Sequence, residues 1–155
     1  MKPGDKIPDL RGPSTAGDIR LRDFKGRFVV VYFYPKDSTP GCTLEAQDFR
    51  GLAKQFAKAN ATVLGVSRDA MPSHEKFHSK QNLNFALVSD PDETWCKAFD
   101  VIHEKVLYGR KFLGVVRSTF LIGPDGKLRR EWRKVKVPGH AQAVLDAVAA
   151  DSGSK

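Results

Sequence analysis

The stretch "RFVVVYFYPKDSTPGCTLEAQDFR", Arg27–Arg50, changes its hydrophobic period in the middle, and that change decides the fold. Arg27–Pro35 is a nearly continuous run of β-branched and aromatic residues, as in a central strand covered on both faces, and Pro35 ends it. From Thr43 to Ala59 the apolar positions Leu44, Phe49, Leu52, Ala53 and Phe56 follow the three-and-four spacing of a helix with one buried face. Between the two, Thr39 is a good N-cap and Pro40 suits the first helical position. Cys42 then falls in the first turn, where backbone N–H groups lack helical partners and favour an anion. A thiol there is expected to lose its proton more readily, and the thiolate is the reactive form. Gly41 lets another molecule approach the backbone closely. Cys42 could instead be a small buried hydrophobe at a tight corner. Ligand sites in open α/β sheets gather at the carboxyl ends of strands, which favours the reactive reading.

Outward from this corner the elements alternate. Upstream, Ile19–Phe24 reads as a short strand. Downstream, Thr62–Asp69 reads as a second buried strand, Pro72–Gln81 as a helix begun by its proline, "FALVSD" as a third strand and Pro91–Phe99 as a short helix. An irregular stretch follows, then the hairpin "VVRSTFLIGPDGKLRREWRKV" turning at "GPDG", and a last helix, "GHAQAVLDAVAA". The pattern predicts a mixed central sheet with helices on both faces, in one domain spanning residues 1–155 whose tail, 151–155, is disordered.

Composition narrows the function classes. No apolar run approaches the roughly 18 residues of a membrane span, and the N-terminus has no apolar signal core, so a cytoplasmic protein is expected. Two cysteines in such a chain point to free thiols rather than a disulfide framework. Of the net +8, the segment Glu104–Lys136 carries +7. Its charges alternate with apolar residues as on a solvated sheet face, and no recognition helix or stacking pattern accompanies them, so nucleic acid is not expected as a partner. "HEKFH", His74–His78, fits H-E-x-x-H, in which two imidazoles bind zinc and Glu75 acts as base. The helix is short and polar, and neither His103 nor His140 stands at a familiar third-ligand spacing. We read these histidines as a solvated helix face and expect no metal and no other cofactor.

"YPKDSTPGCT" carries Pro-x-x-x-Thr-x-x-Cys through Pro35, Thr39 and Cys42, which resembles the active-site signature of the peroxiredoxins. The longer "VVYFYPKDSTPGCTLEAQDFR", followed in order by "VLGVSRD", "FALVSDPDETWCKAFDV" and "RSTFLIGPDGK", resembles the bacterioferritin comigratory protein, or PrxQ, branch. The resemblance covers roughly Gly4 to Val148. It implies a thioredoxin-like α/β fold with a peroxiredoxin-type N-terminal hairpin, and a thiol peroxidase acting on hydrogen peroxide and organic hydroperoxides. Cys42 would be the peroxidatic cysteine, which becomes a sulfenic acid. Thr39 would offer its hydroxyl to thiolate and peroxide, and Pro35 would limit solvent. Arg117 would stabilise charge moving along the O–O axis, with Glu45 holding it in place. The resemblance alone selects Arg117 over Arg110, Arg129 or Arg130.

Many members of this branch place a resolving cysteine five residues after the first, where this chain has Gln47. Either Cys96 resolves Cys42 after local unfolding, or an external thiol from thioredoxin, glutaredoxin or glutathione reduces it. Cys96 lies beside Trp95 and near Phe99, the habit of a core thiol, and the one-cysteine reading is favoured. A redox sensor or binding module on the same fold is the non-enzymatic alternative. The branch is often monomeric, and a monomer is expected.

Overall fold

A computed structural model of the chain describes residues 1–153. Its centre is strand β3, Phe28–Phe33, in which every residue is buried. Before it come β1, Arg11–Gly12, and β2, Ile19–Arg20, which pair antiparallel as the expected N-terminal hairpin. β3 pairs parallel with β4, Ala61–Ser67, which pairs parallel with β5, Ala86–Ser89. Parallel neighbours need crossovers, and helices supply them. α1, Pro40–Gly51, and α2, Ala53–Lys58, join β3 to β4, and α3, Met71–Lys80, joins β4 to β5. Short helix α4, Thr94–Ala98, then precedes the hairpin of β6, Ile102–Leu107, and β7, Arg110–Val115. β8, Ser118–Ile122, lies antiparallel to β3, and β9, Leu128–Arg133, lies antiparallel to β8. The sheet order is β5-β4-β3-β8-β9, and α5, His140–Gly153, closes the described chain.

Alternation along β3 divides the interior in two. Phe28, Val30 and Tyr32 pack with Phe49, Phe56, Phe77 and Val144, on the face covered by α1, α2, α3 and α5. Val29, Val31 and Phe33 pack with Leu21, Trp95, Phe99 and Phe120 on the other face, under α4. Burying each such Val, Leu or Phe side chain stabilises the fold by roughly 1.5–3 kcal/mol.

Four local expectations are corrected. The helical stretch expected to run unbroken through Ala59 breaks at Leu52, beside Gly51, a poor helix former. The strand expected over Ile19–Phe24 ends at Arg20, and Leu21–Phe24 is a 3₁₀ turn leading into Gly26, whose φ of 92° turns the chain toward β3. The stretch expected to be irregular after α4 holds the β6–β7 hairpin, whose turn residues Tyr108 and Gly109 both have positive φ, as a two-residue turn of this hand requires. The histidines expected on a solvated face are not there: His74 is fully buried and His78 half-buried. Residues Asp151–Gly153 of the tail continue α5, and the expectation for Ser154 and Lys155 lies outside the described residues.

Candidate active site

The carboxyl end of β3 delivers the chain to the site. Tyr34 N–H still donates to Val66 O at 3.1 Å, after which Pro35, half-buried, begins a loop that ends at Thr39. Thr39 occupies the N-cap position with extended dihedrals, and Pro40 opens α1, as the sequence indicates. The hydroxyl of Thr39 does not cap the helix; it donates to Lys36 O at 2.8 Å. The first helical bond runs from Thr43 N–H to Thr39 O, so the amides of Gly41 and Cys42 precede any helical acceptor. Cys42 is 2% exposed and packs in the α1 face of the core.

Glu45, three residues on, lies on the same side of α1 as Cys42. Arg117 reaches both from across the sheet. It immediately precedes β8, whose first residue, Ser118, pairs with Phe33 at the end of β3, so the register sets Arg117 opposite the β3–α1 corner. Its Nη2 lies 3.4 Å from Cys42 Sγ and its Nη1 lies 2.6 Å from Glu45 Oε1. Gly41 makes room, since a Cβ there would stand 3.1 Å from Arg117 Nη2. The backbone of Arg117 is held by Val135 N–H on its carbonyl at 3.0 Å. A sulfur beside a fixed guanidinium and free helical amides is an arrangement in which negative charge on the sulfur, or on an oxygen leaving it, meets donors already in position.

Burial opposes the Arg117 charge, but Glu45 and Cys42 outweigh it and hold the guanidinium above its ordinary value. Glu45 behaves oppositely, because burial outweighs Arg117 and pushes its carboxyl up to about 7. Its Oε2 has no hydrogen-bond partner among the described residues, so the burial of that oxygen goes uncompensated. The folded value lies above the ordinary 4.5, so folding favours the protonated form. The resulting stability is fully present below about pH 4.5 and is lost as pH rises through about 7. Glu45→Gln, fixed in the neutral form, is expected to flatten the stability curve across that window in urea melts. A variant that keeps the wild-type slope would assign that slope to other groups.

The other sequence candidates lie elsewhere. Cys96 is wholly buried on α4, in the core on the opposite face of the sheet from Cys42, so the two thiols are not brought together. Its amide donates to Asp90 Oδ2 at 2.9 Å, and burial followed by Asp90 raises its thiol far above the ordinary range. Gln47 donates to Gln81 Oε1 at 2.9 Å. Both ring nitrogens of His74 are engaged, with Asp37 Oδ2 at 2.6 Å and Val88 O at 2.9 Å, while His78 Nε2 meets Phe85 O at 3.1 Å and Glu75 is exposed. The H-E-x-x-H spacing is thus used to tie α3 to its neighbours. His103 Nε2 meets Asp100 O, and His140 Nε2 meets Thr119 Oγ1 at 2.7 Å, with burial, aided by Arg117, pushing His140 down to about 4.

Sequence reasoning missed Lys105 and the residues around Asp37. Lys105, on β6, feels both Arg117 and Cys42, and burial lowers it. Asp37 accepts from Tyr34 and Ser73 and meets His74 Nδ1. The available signal was His74 and Phe77 standing three apart on α3, both buried, the spacing of a core face.

The chain matches the AhpC/TSA family over residues 3–131. Peroxiredoxin Bcp of Xanthomonas campestris is 58% identical over 130 residues, which cover 84% of this chain and 81% of that protein. A PrxQ structure from Xylella fastidiosa superposes with a TM-score of 0.93 at 46% identity, covering 98% of each chain. A structure of the Xanthomonas campestris bacterioferritin comigratory protein, described for its alkyl peroxide reduction activity, superposes with a TM-score of 0.89 at 49% identity, covering 96% of this chain and 99% of the other. With thioredoxin-fold neighbours of this kind, the chain belongs to the AhpC/TSA family and is a peroxiredoxin of the Bcp/PrxQ branch, an enzyme that reduces peroxides at the expense of thiols.

Proposed function

We propose that Cys42 is the peroxidatic nucleophile of a one-cysteine cycle acting on hydrogen peroxide and organic hydroperoxides. The contact of Arg117 with both Cys42 Sγ and Glu45 Oε1 is the observation that carries this reading. The Cys42 thiolate attacks the terminal peroxide oxygen; an S–O bond forms, the O–O bond breaks, and the leaving oxygen takes up a proton to depart as water or alcohol. Arg117 Nη2, already at the sulfur, stabilises the charge as it passes from sulfur to the leaving oxygen. Glu45 fixes the guanidinium, Thr39 orients the peroxide, and Pro35 limits water. An external thiol then attacks the sulfenic sulfur and expels water. A second thiol cleaves the mixed disulfide, which returns Cys42 and releases the reductant as a disulfide.

Two observations favour external resolution: Gln47 stands where a local partner would, and Cys96 lies buried across the sheet. The alkyl peroxide activity named for the Xanthomonas relative supports organic hydroperoxides as substrates. The protein would work as a single-domain monomer in the cytoplasm, with thioredoxin, glutaredoxin or glutathione as reductant. None of the helices among the described residues is long and apolar enough to cross a membrane. Steady-state consumption of hydrogen peroxide and cumene hydroperoxide, with each reductant in turn, tests the cycle. Sustained turnover with at least one reductant is expected. A single turnover with all three would make the protein a redox sensor instead.

A further inference from the structure

We propose that the buried Asp37–His74 pair, together with Asp69, positions the loop that presents Thr39 to the peroxide. The inference rests on the reading of Thr39 as the residue that orients the substrate. It concerns residues outside the Pro-x-x-x-Thr-x-x-Cys pattern and supplies a role for the first histidine of H-E-x-x-H.

The loop between β3 and α1 is not held by its own conformational preferences. Ser38 sits at φ 63°, the left-handed region, a strain of roughly 1 kcal/mol or more that surrounding contacts must maintain. Those contacts converge on Asp37. Its side chain is buried, yet both oxygens are satisfied: Oδ1 accepts from Tyr34 Oη at 2.6 Å, and Oδ2 accepts from Ser73 Oγ at 2.9 Å. The third partner of the carboxylate is the His74 ring. Val88 O can only accept, so the hydrogen of that contact sits on His74 Nε2, while Nδ1 lies 2.6 Å from Asp37 Oδ2. Because His74 is itself fully buried between α3 and β5, it transfers the rigidity of the sheet to the loop.

The link to Thr39 passes through one peptide group. The N–H of Asp37 donates to Asp69 Oδ2 at 2.9 Å, and Asp69 is in turn held by Ser67 Oγ at 2.5 Å. The carbonyl of that same peptide, Lys36 O, accepts the Thr39 hydroxyl at 2.8 Å. Fixing this plane from the N–H side therefore fixes the direction of Thr39 Oγ1. With its hydrogen committed to Lys36, Oγ1 has only lone pairs left to offer, and it can accept the hydroxyl proton of a hydroperoxide. A carboxylate that tethers the loop at its side chain and lies next to the peptide that aims Thr39 is a support for orientation, and misplacement by about 1 Å costs about 100-fold in such cases.

The test compares two reactions of one sulfur. The second-order rate of Cys42 oxidation by hydrogen peroxide needs an oriented substrate, whereas alkylation of Cys42 by iodoacetamide, read by peptide mass, does not. Asp37→Asn and His74→Gln are expected to slow oxidation by roughly 30- to 100-fold while alkylation stays within about 3-fold of wild type. Ser73→Ala removes one of the carboxylate's three partners from a partly exposed position and is expected to slow oxidation by about 3-fold; it decides the matter if the buried variants do not fold. A folded Asp37→Asn, or in its absence Ser73→Ala, that oxidises at the wild-type rate would overturn the proposal, as would equal slowing of both reactions. Failure of the reading beneath it looks different: the wild type itself would be alkylated at Cys42 but not oxidised.

Discussion

Cys42→Ser is expected to abolish peroxide consumption, with a fall of at least about 10⁴-fold, the scale on which loss of a nucleophile acts. Serine is close to isosteric and leaves α1, Arg117 and Glu45 in place. Its hydroxyl, however, does not become an anion at neutral pH even with a guanidinium 3.4 Å away, and an alcohol does not attack the O–O bond. The fold should survive. The site is 2% exposed, but Arg117 Nη2 can donate to the new oxygen, so the cost is about 1 kcal/mol. Peroxide consumption and a thermal melt on one preparation separate the two effects. Appreciable residual turnover in the folded variant would mean that another group carries the chemistry.

Arg117→Ala is expected to slow Cys42 oxidation by about 100- to 1,000-fold, as removal of one preorganised donor at a developing anion does elsewhere. The loss has a second component. Glu45, 1% exposed and lacking a partner at Oε2 among the described residues, would lose the guanidinium it pairs with. Its carboxyl would then be pushed further toward the neutral form, with a stability loss near neutral pH of roughly 2 kcal/mol after allowing for the solvent that reaches Arg117. The double variant Arg117→Ala with Glu45→Gln removes the stranded charge, so its stability should recover while its peroxide rate stays low. Recovery of both would show that Arg117 matters only through folding. Arg117→Lys should recover part of the rate at most, because one ammonium cannot meet both Sγ and Oε1 as two guanidinium nitrogens do.

The uneven legibility of this chain has physical causes. Local signals act within one element or across one turn, and those are readable: the buried run of β3, and Thr39 and Pro40 at the start of α1, while Glu45 is singled out only by the family resemblance. Arg117 could not be chosen from periodicity, because its place beside Cys42 depends on the pairing of Ser118 with Phe33 across 85 positions of chain, and only the family resemblance pointed to it. The β6–β7 hairpin escaped notice because both of its faces are largely exposed. Val106, Leu107 and Leu113 therefore follow no alternation of the kind that burial imposes, and a tyrosine occupies the turn position where asparagine or glycine is the usual signal. The burial of His74 is not legible in the sequence, because α3 is polar on average and the partner of the ring is an aspartate 37 residues earlier.

The central claim is that Cys42 works alone within the chain, and intact-mass spectrometry after one equivalent of hydrogen peroxide, with a sulfenic-acid trap present, tests it most directly. The account predicts equal trapping in the wild type and Cys96→Ser, with Cys42→Ser inert. It would be contradicted by a wild type that loses about two mass units, those of the two hydrogens released on disulfide formation, while trapped sulfenate accumulates only in Cys96→Ser. That result would mean that α4 opens and carries Cys96 across to Cys42.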